Sequence, residues 1–114
     1  MKVALHSTLR PGQETAYDEA HASIPDEMMA ALRAAGITEW MIWRSGRHLF
    51  HMIECDDFDR AMAKLAGDPV NERWQERMAV YVESFVGDRG GADPGALPEV
   101  WTLTGQLAGQ EEGA

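Results

Sequence analysis

The sequence predicts an α+β fold: a four-stranded antiparallel sheet in βαββαβ order, with helices packed on one of its faces. Three observations carry that prediction. An alternating segment opens the chain at Lys2 to Leu9, with Val3, Leu5 and Leu9 on one side and Ala4, His6 and Thr8 on the other. Two segments rich in aromatic and branched residues, Ile37 to Arg44 and His48 to Cys55, flank a Ser45-Gly46-Arg47 turn and read as a hairpin. Helical composition fills the intervals on either side of that hairpin.

Each element has a local cause. Arg10-Pro11-Gly12 ends the first strand, and a helical stretch follows from Gln13 to about Ala35, where Gly36 is placed to stop it. Pro25 lies inside that stretch and removes an amide donor, so it predicts either a kink or two abutting helices. Ser23 is the expected cap of the second piece, with Asp26 and Glu27 favourable in its first turn. After the hairpin, Asp57 caps a helix from Phe58 to about Ala66 whose apolar face is Phe58, Ala61, Met62 and Leu65. Gly67-Asp68-Pro69 interrupts it, and a further helix is expected from Asn71 to Phe85, with Trp74, Met78, Tyr81 and Phe85 along one stripe. A glycine-rich loop from Gly87 to Pro98 leads to an expected final strand, Glu99 to Thr104. The domain therefore covers residues 1–104, with 105–114 as a flexible polar tail. Strand, helix, strand, strand, helix, strand is the ferredoxin-like order, which leaves one sheet face open. Trp40, Ile42, Trp43, Phe50, Ile53 and Trp101 make the sheet too apolar to be wet on both faces, so two copies are expected to close on each other as a homodimer.

Composition narrows the function. The 114 residues and their 45% apolar content suit one core, since single domains commonly hold about 100–150 residues. A net charge of −9, from 19 acidic and 10 basic side chains, repels phosphate backbones and anionic lipid, so neither nucleic acid nor membrane is expected as a partner. No run approaches a membrane-spanning length and the N-terminus has no leader pattern, while the single cysteine, Cys55, fits a reducing cytoplasm. Asp56 and Asp57 beside Cys55 disfavour a thiolate nucleophile.

The segment Tyr17-Asp18-Glu19-Ala20-His21 draws attention next. Residues four apart project from one helical face, so Tyr17 and His21 stand one turn apart. Histidine's ordinary pKa of about 6.5 suits proton transfer near neutral pH, and a nearby tyrosine can donate a hydrogen bond to a hydroxyl or accept one from it. The same two residues also suit the edge of a core. Trp40, Trp43, Trp74 and Trp101 offer flat faces for a sugar ring or for packing. His6 and His51 lie on the first and third strands, neighbours in this topology, so their imidazoles are candidates to approach each other. No histidine pair has the spacing of a strong metal site and no phosphate loop or nucleotide fingerprint is present, so neither metal nor cofactor is expected.

Taken together, Tyr17 with His21, Ile24-Pro25-Asp26-Glu27, Ala31 to Ile37, Leu49-Phe50 with Ile53-Glu54, Val70 to Gln75, and Glu99-Val100-Trp101 resemble the L-rhamnose mutarotases, in order and over about Lys2 to Leu103. That family includes members associated with L-fucose and adopts a dimeric α/β barrel. The resemblance implies an isomerase that interconverts the anomers of a deoxy-sugar by opening and reclosing its ring, without cofactor. It implies His21 and Tyr17 as the catalytic pair and Trp40, Trp74 and Gln75 as sugar-binding residues. Trp40 stands where the rhamnose enzymes carry a strand tyrosine, Gln75 stands for the second of a tryptophan pair, and the tryptophan expected just before Pro25 is absent. Two alternatives stay open from the residues alone: a non-catalytic sugar-binding or dimerisation module, and a cofactor-free monooxygenase on the same architecture with an apolar pocket lined by Trp40, Trp43 and Trp101.

Overall fold

The computed structural model of the chain describes residues 1–84 and 96–112. The elements run β1 (Lys2–Leu9), α1 (Glu14–His21), α2 (Asp26–Ala34), β2 (Ile37–Ser45), β3 (His48–Cys55), α3 (Phe58–Ala66), α4 (Pro69–Met78), β4 (Val82–Ser84) and α5 (Leu103–Glu112). The four strands pair antiparallel in the order β2-β3-β1-β4, which is the expected ferredoxin-like sheet.

Strand alternation decides which residues meet the helices. Val3, Leu5, Ser7 and Leu9 of β1 are buried with Leu49, His51, Ile53 and Cys55 of β3. They form two apolar clusters. One packs Val3, Leu5, Ile37 and Ile53 against Phe58, Ala61 and Leu65; the other packs Leu9, Leu49 and Val82 against Tyr17, Ala20 and Met78. The opposite face carries Met41, Trp43 and Phe50, all exposed. Of the apolar sheet residues named above, Trp40, Ile42 and Ile53 therefore belong to the covered face, and Trp43 and Phe50 to the open one. The hairpin turns at Gly46, whose φ of +57° lies in the left-handed region that costs glycine least.

Pro25 produces two helices. It adopts φ −57°, ψ 142° and itself occupies the cap position of α2 without a side-chain hydrogen bond, so Ser23 is not the cap. The proline's extended ψ and its restriction on Ile24 place the helix start after it, beyond the reach expected of Ser23. Gly36 ends that helix at φ +92°, and the Asp57 carboxylate accepts from the Arg60 amide at 3.0 Å as a cap should.

The C-terminal third departs from expectation. The helix anticipated up to Phe85 stops at Met78, and the fourth strand is Val82–Ser84 rather than Glu99 to Thr104. Long-range pairing overrides the helical stripe here: the Tyr81 carbonyl accepts from the Arg10 amide at 2.8 Å, and Val82 pairs with Leu9. Farther along β1, Ala96 bridges Leu5 and the Leu97 amide donates to the Ala4 carbonyl at 2.8 Å. That edge is then occupied, and residues 97–102 form no strand. Trp101 is 61% exposed and donates its indole N–H to Gln106 at 2.7 Å instead of joining a sheet. From Leu103 the segment expected as a polar tail carries the exposed helix α5. Phe85 and most of the glycine-rich loop lie outside the described residues.

Candidate active site

A cleft of about 840 Å³ opens between the covered face of the sheet and the helices, at the seam of the two apolar clusters. Tyr17 and His21 reach it from α1, Trp40 and Ile42 from β2, His51 from β3, and Asn71, Trp74 and Gln75 from α4. The five residues singled out in the sequence thus line one cavity, although they come from three elements.

His21 is fixed in a single tautomer. Its Nδ1 lies 3.2 Å from the Tyr17 backbone carbonyl, one turn back. A carbonyl only accepts, so Nδ1 carries the proton and Nε2 holds the lone pair. Burial pushes the imidazole below the ordinary histidine value; the Tyr17 carbonyl and Asp18 pull the other way, and Arg77 adds to the depression. At neutral pH the ring is therefore a neutral base. It stacks at a tilt on Tyr17 with centroids 4.1 Å apart and meets the Trp74 indole edge-on at 5.4 Å.

Tyr17 is 5% exposed, and burial, aided by the Asp18 carboxylate, holds its phenol well above the usual range. It stays protonated, with its O–H retained at neutral pH. Outside the cleft, Asp18 receives a two-pronged contact from Arg44, Nε to Oδ1 at 2.9 Å and Nη2 to Oδ2 at 2.7 Å, which ties α1 to β2. That contact holds the Asp18 carboxyl below the usual carboxylate value.

Trp74 packs between His21 and Arg77, whose guanidinium carbon lies 5.6 Å from the indole centroid. Gln75 donates to Asn71 Oδ1 at 3.3 Å, and buried Asn71 donates to the Leu65 carbonyl at 3.0 Å, so the amide chain orients Gln75 Oε1 as an acceptor. Three polar residues went unassigned in the sequence. Asn71, four residues before Gln75, was legible from helical spacing. Ser7 and His51 were not, because their partners lie on other strands.

His51 and His6 project from opposite faces of the sheet. Odd and even strand positions face opposite ways, so His51 hydrogen-bonds Ser7 Oγ at 2.9 Å on the covered face, while His6 bonds His48 at 3.1 Å on the open face. Among the described residues no group of three or more histidine, cysteine or acidic side chains is placed to hold a metal. Cys55 is buried and burial raises its thiol pKa.

The family model for L-rhamnose mutarotase matches residues 2–103. A curated L-rhamnose mutarotase of Sinorhizobium medicae is 32% identical over 95 residues, covering 82% of this chain and 90% of its own. The chain belongs to the L-rhamnose mutarotase family. The crystal structure of an L-rhamnose mutarotase from Formosa agariphila superposes with a TM-score of 0.71 at 22% identity, over 90% of this chain and 98% of that one. A type-II polyketide cyclase, tetracenomycin F2 cyclase of Streptomyces glaucescens, gives 0.64 at 17% identity over 90% and 96%. Those two likenesses concern the fold, and both fit the curled four-stranded sheet seen here.

Proposed function

We propose that this protein interconverts the α and β anomers of L-rhamnose or a close deoxy-sugar by general acid–base catalysis. The observation that carries the reading is His21: a neutral imidazole with Nδ1–H held by its own helix and Nε2 unprotonated, in a cleft that also contains a protonated tyrosine and two tryptophans. Family membership favours it over the binding-module and monooxygenase alternatives.

His21 Nε2 takes the proton of the anomeric hydroxyl. The O–H electron pair left on that oxygen forms the second bond of the aldehyde carbonyl, and the bond from the anomeric carbon to the ring oxygen breaks with its electron pair going to the ring oxygen. Tyr17 donates a hydrogen bond to that oxygen, and the imidazolium returns the proton to it. The aldehyde carbon rotates and the reverse sequence closes the ring on its other face, leaving both residues as they began. Acid–base help of this kind is worth roughly 10²–10⁴-fold, enough for a reaction that proceeds slowly in water unaided. Trp74 and Trp40 orient the ring through its C–H surfaces, and Gln75 Oε1 accepts from a hydroxyl.

The exposed Met41, Trp43 and Phe50 of the open sheet face support a homodimer closed across that face. Among the described residues no helix is long and apolar enough to cross a membrane, and a cytoplasmic enzyme with its lone cysteine reduced fits both. Saturation-transfer NMR between the anomeric protons of L-rhamnose and L-fucose, with and without protein, tests the activity. Acceleration with either sugar supports it and ranks the two. No acceleration with either or with a wider deoxy-sugar panel overturns it in favour of a binding role.

A further inference from the structure

We propose that His51 is a positioning residue, which together with Ser7 locks the Trp40 indole in place as one wall of the sugar site. The proposal rests on the mutarotase reading above. On the covered face His51 pairs with Leu5 of β1 on one side and with Ile42 of β2 on the other. Ser7 and Trp40 stand two residues along those strands, so the three side chains form a diagonal row across three strands, a separation that long side chains bridge.

The hydrogen-bond directions in that row follow from chemistry. An indole N–H only donates, so the 3.2 Å contact of Trp40 Nε1 with His51 Nδ1 leaves Nδ1 unprotonated. A neutral imidazole then carries its proton on Nε2, and Nε2–H donates to Ser7 Oγ at 2.9 Å. Ser7 is 0% and His51 3% exposed, so water does not compete for their contact, while the contact with Trp40 is half-buried at the wall of the cleft. The tautomer that Trp40 requires is the one whose Nε2–H the Ser7 hydroxyl can accept.

Two consequences follow. The single polar atom of Trp40 is engaged with His51, so this wall offers carbon and π surface to a ligand and no hydrogen bond. The imidazole also stands edge-on to the indole with ring centroids 6.0 Å apart, which removes the ring's freedom to swing into the cleft. Trp40 stands where the family resemblance expects a strand tyrosine, and a tyrosine has no indole N–H to give. His51 is thus the residue that turns a bulkier aromatic into a fixed wall. A wall that touches the sugar in every state along the reaction contributes uniform binding, so its loss raises KM and spares kcat.

Two histidine variants separate this role from plain packing. His51→Asn keeps an acceptor near the position of Nδ1, whereas His51→Gln reaches Ser7 and leaves the indole N–H without its acceptor. Expected are a displaced and faster-exchanging Trp40 indole signal in the ¹H–¹⁵N spectrum of His51→Gln and its recovery in His51→Asn, the signal being assigned by its absence in Trp40→Phe. KM for anomer exchange should rise roughly 2- to 10-fold in His51→Gln and in Trp40→Phe, the size of one net hydrogen bond, with kcat within about 2-fold. The double variant should be no worse than the worse single one, because both remove the same contact. If His51→Gln folds poorly, Ser7→Ala, which removes the partner of His51 Nε2, carries the test: a displaced Trp40 indole signal with a raised KM supports the proposal, and an unmoved signal overturns it. An unmoved indole signal, a loss confined to kcat, or fully additive KM effects overturns the proposal. If the native protein does not accelerate anomer exchange, the functional reading fails with it, while the indole signal still reports whether His51 holds Trp40.

Discussion

The two faces of the sheet carry the same chemical groups and use them differently. On the open face, His6 and His48 stack with centroids 5.3 Å apart and share a hydrogen bond, beside Phe50. On the covered face, His51 is almost fully buried and burial drives its pKa down to about 4, with His21 and then His6 adding to the effect. His21 joins it there from α1, also depressed by burial. Histidine content alone therefore says little about catalysis. Strand parity and helix cover decide which imidazoles become fixed on the covered face and which pair with each other on the exposed, apolar one.

Substitution breaks that contrast most sharply. His21→Ala should slow anomer exchange by roughly 10²–10⁴-fold with the circular dichroism spectrum intact, whereas His48→Ala should leave the rate within about 2-fold. Similar losses from both would erase the distinction between the faces.

Stability against pH sharpens it next. The folded pKa of His51 lies below the unfolded value of about 6.5, so the unfolded chain binds more protons between pH 6.5 and 4. The stabilisation is complete above pH 6.5 and is lost as pH falls toward about 4, with an upper limit of about 3 kcal/mol at 1.36 kcal/mol per pH unit. Denaturant melts should show that part of the acid sensitivity missing in His51→Gln; identical pH slopes would contradict it.

A smaller effect is expected at Tyr17. The Phe variant keeps the buried ring and removes one donor, so kcat should fall about 10-fold with little change in stability. An unchanged kcat would remove Tyr17 from the mechanism. Smallest of all, Asp18→Asn removes an exposed ion pair and should leave KM unmoved and lower the melting temperature only slightly, because solvent screens such pairs.

Much of this was legible along the chain where a signal is local. Alternation placed β1 and the hairpin, Pro25 divided the helices, and four-residue spacing put Tyr17 and His21 on one face, where the cleft contains both. The parts that escaped depend on distant partners. Trp74, Met78 and Tyr81 keep a helical period, yet Tyr81 and Val82 serve β1, and no local pattern announces a three-residue strand whose partners lie more than 70 residues away. His51 reads as one more strand residue until Ser7 and Trp40 arrive beside it from two other strands. Glu99 to Thr104 has strand composition, but the β1 edge it was expected to join is held by β4 and Ala96.

A neutral, half-buried His21 is the base for anomer exchange, and the pH dependence of that exchange tests its role most directly. Saturation transfer on L-rhamnose should be followed from about pH 5 to 8, the window in which histidine charge changes. Protein-dependent exchange should persist as pH falls through 6.5, with the acid limb of kcat/KM centred below that value because burial disfavours the imidazolium. No acceleration at any pH, or an acid limb centred at or above 6.5, would contradict it.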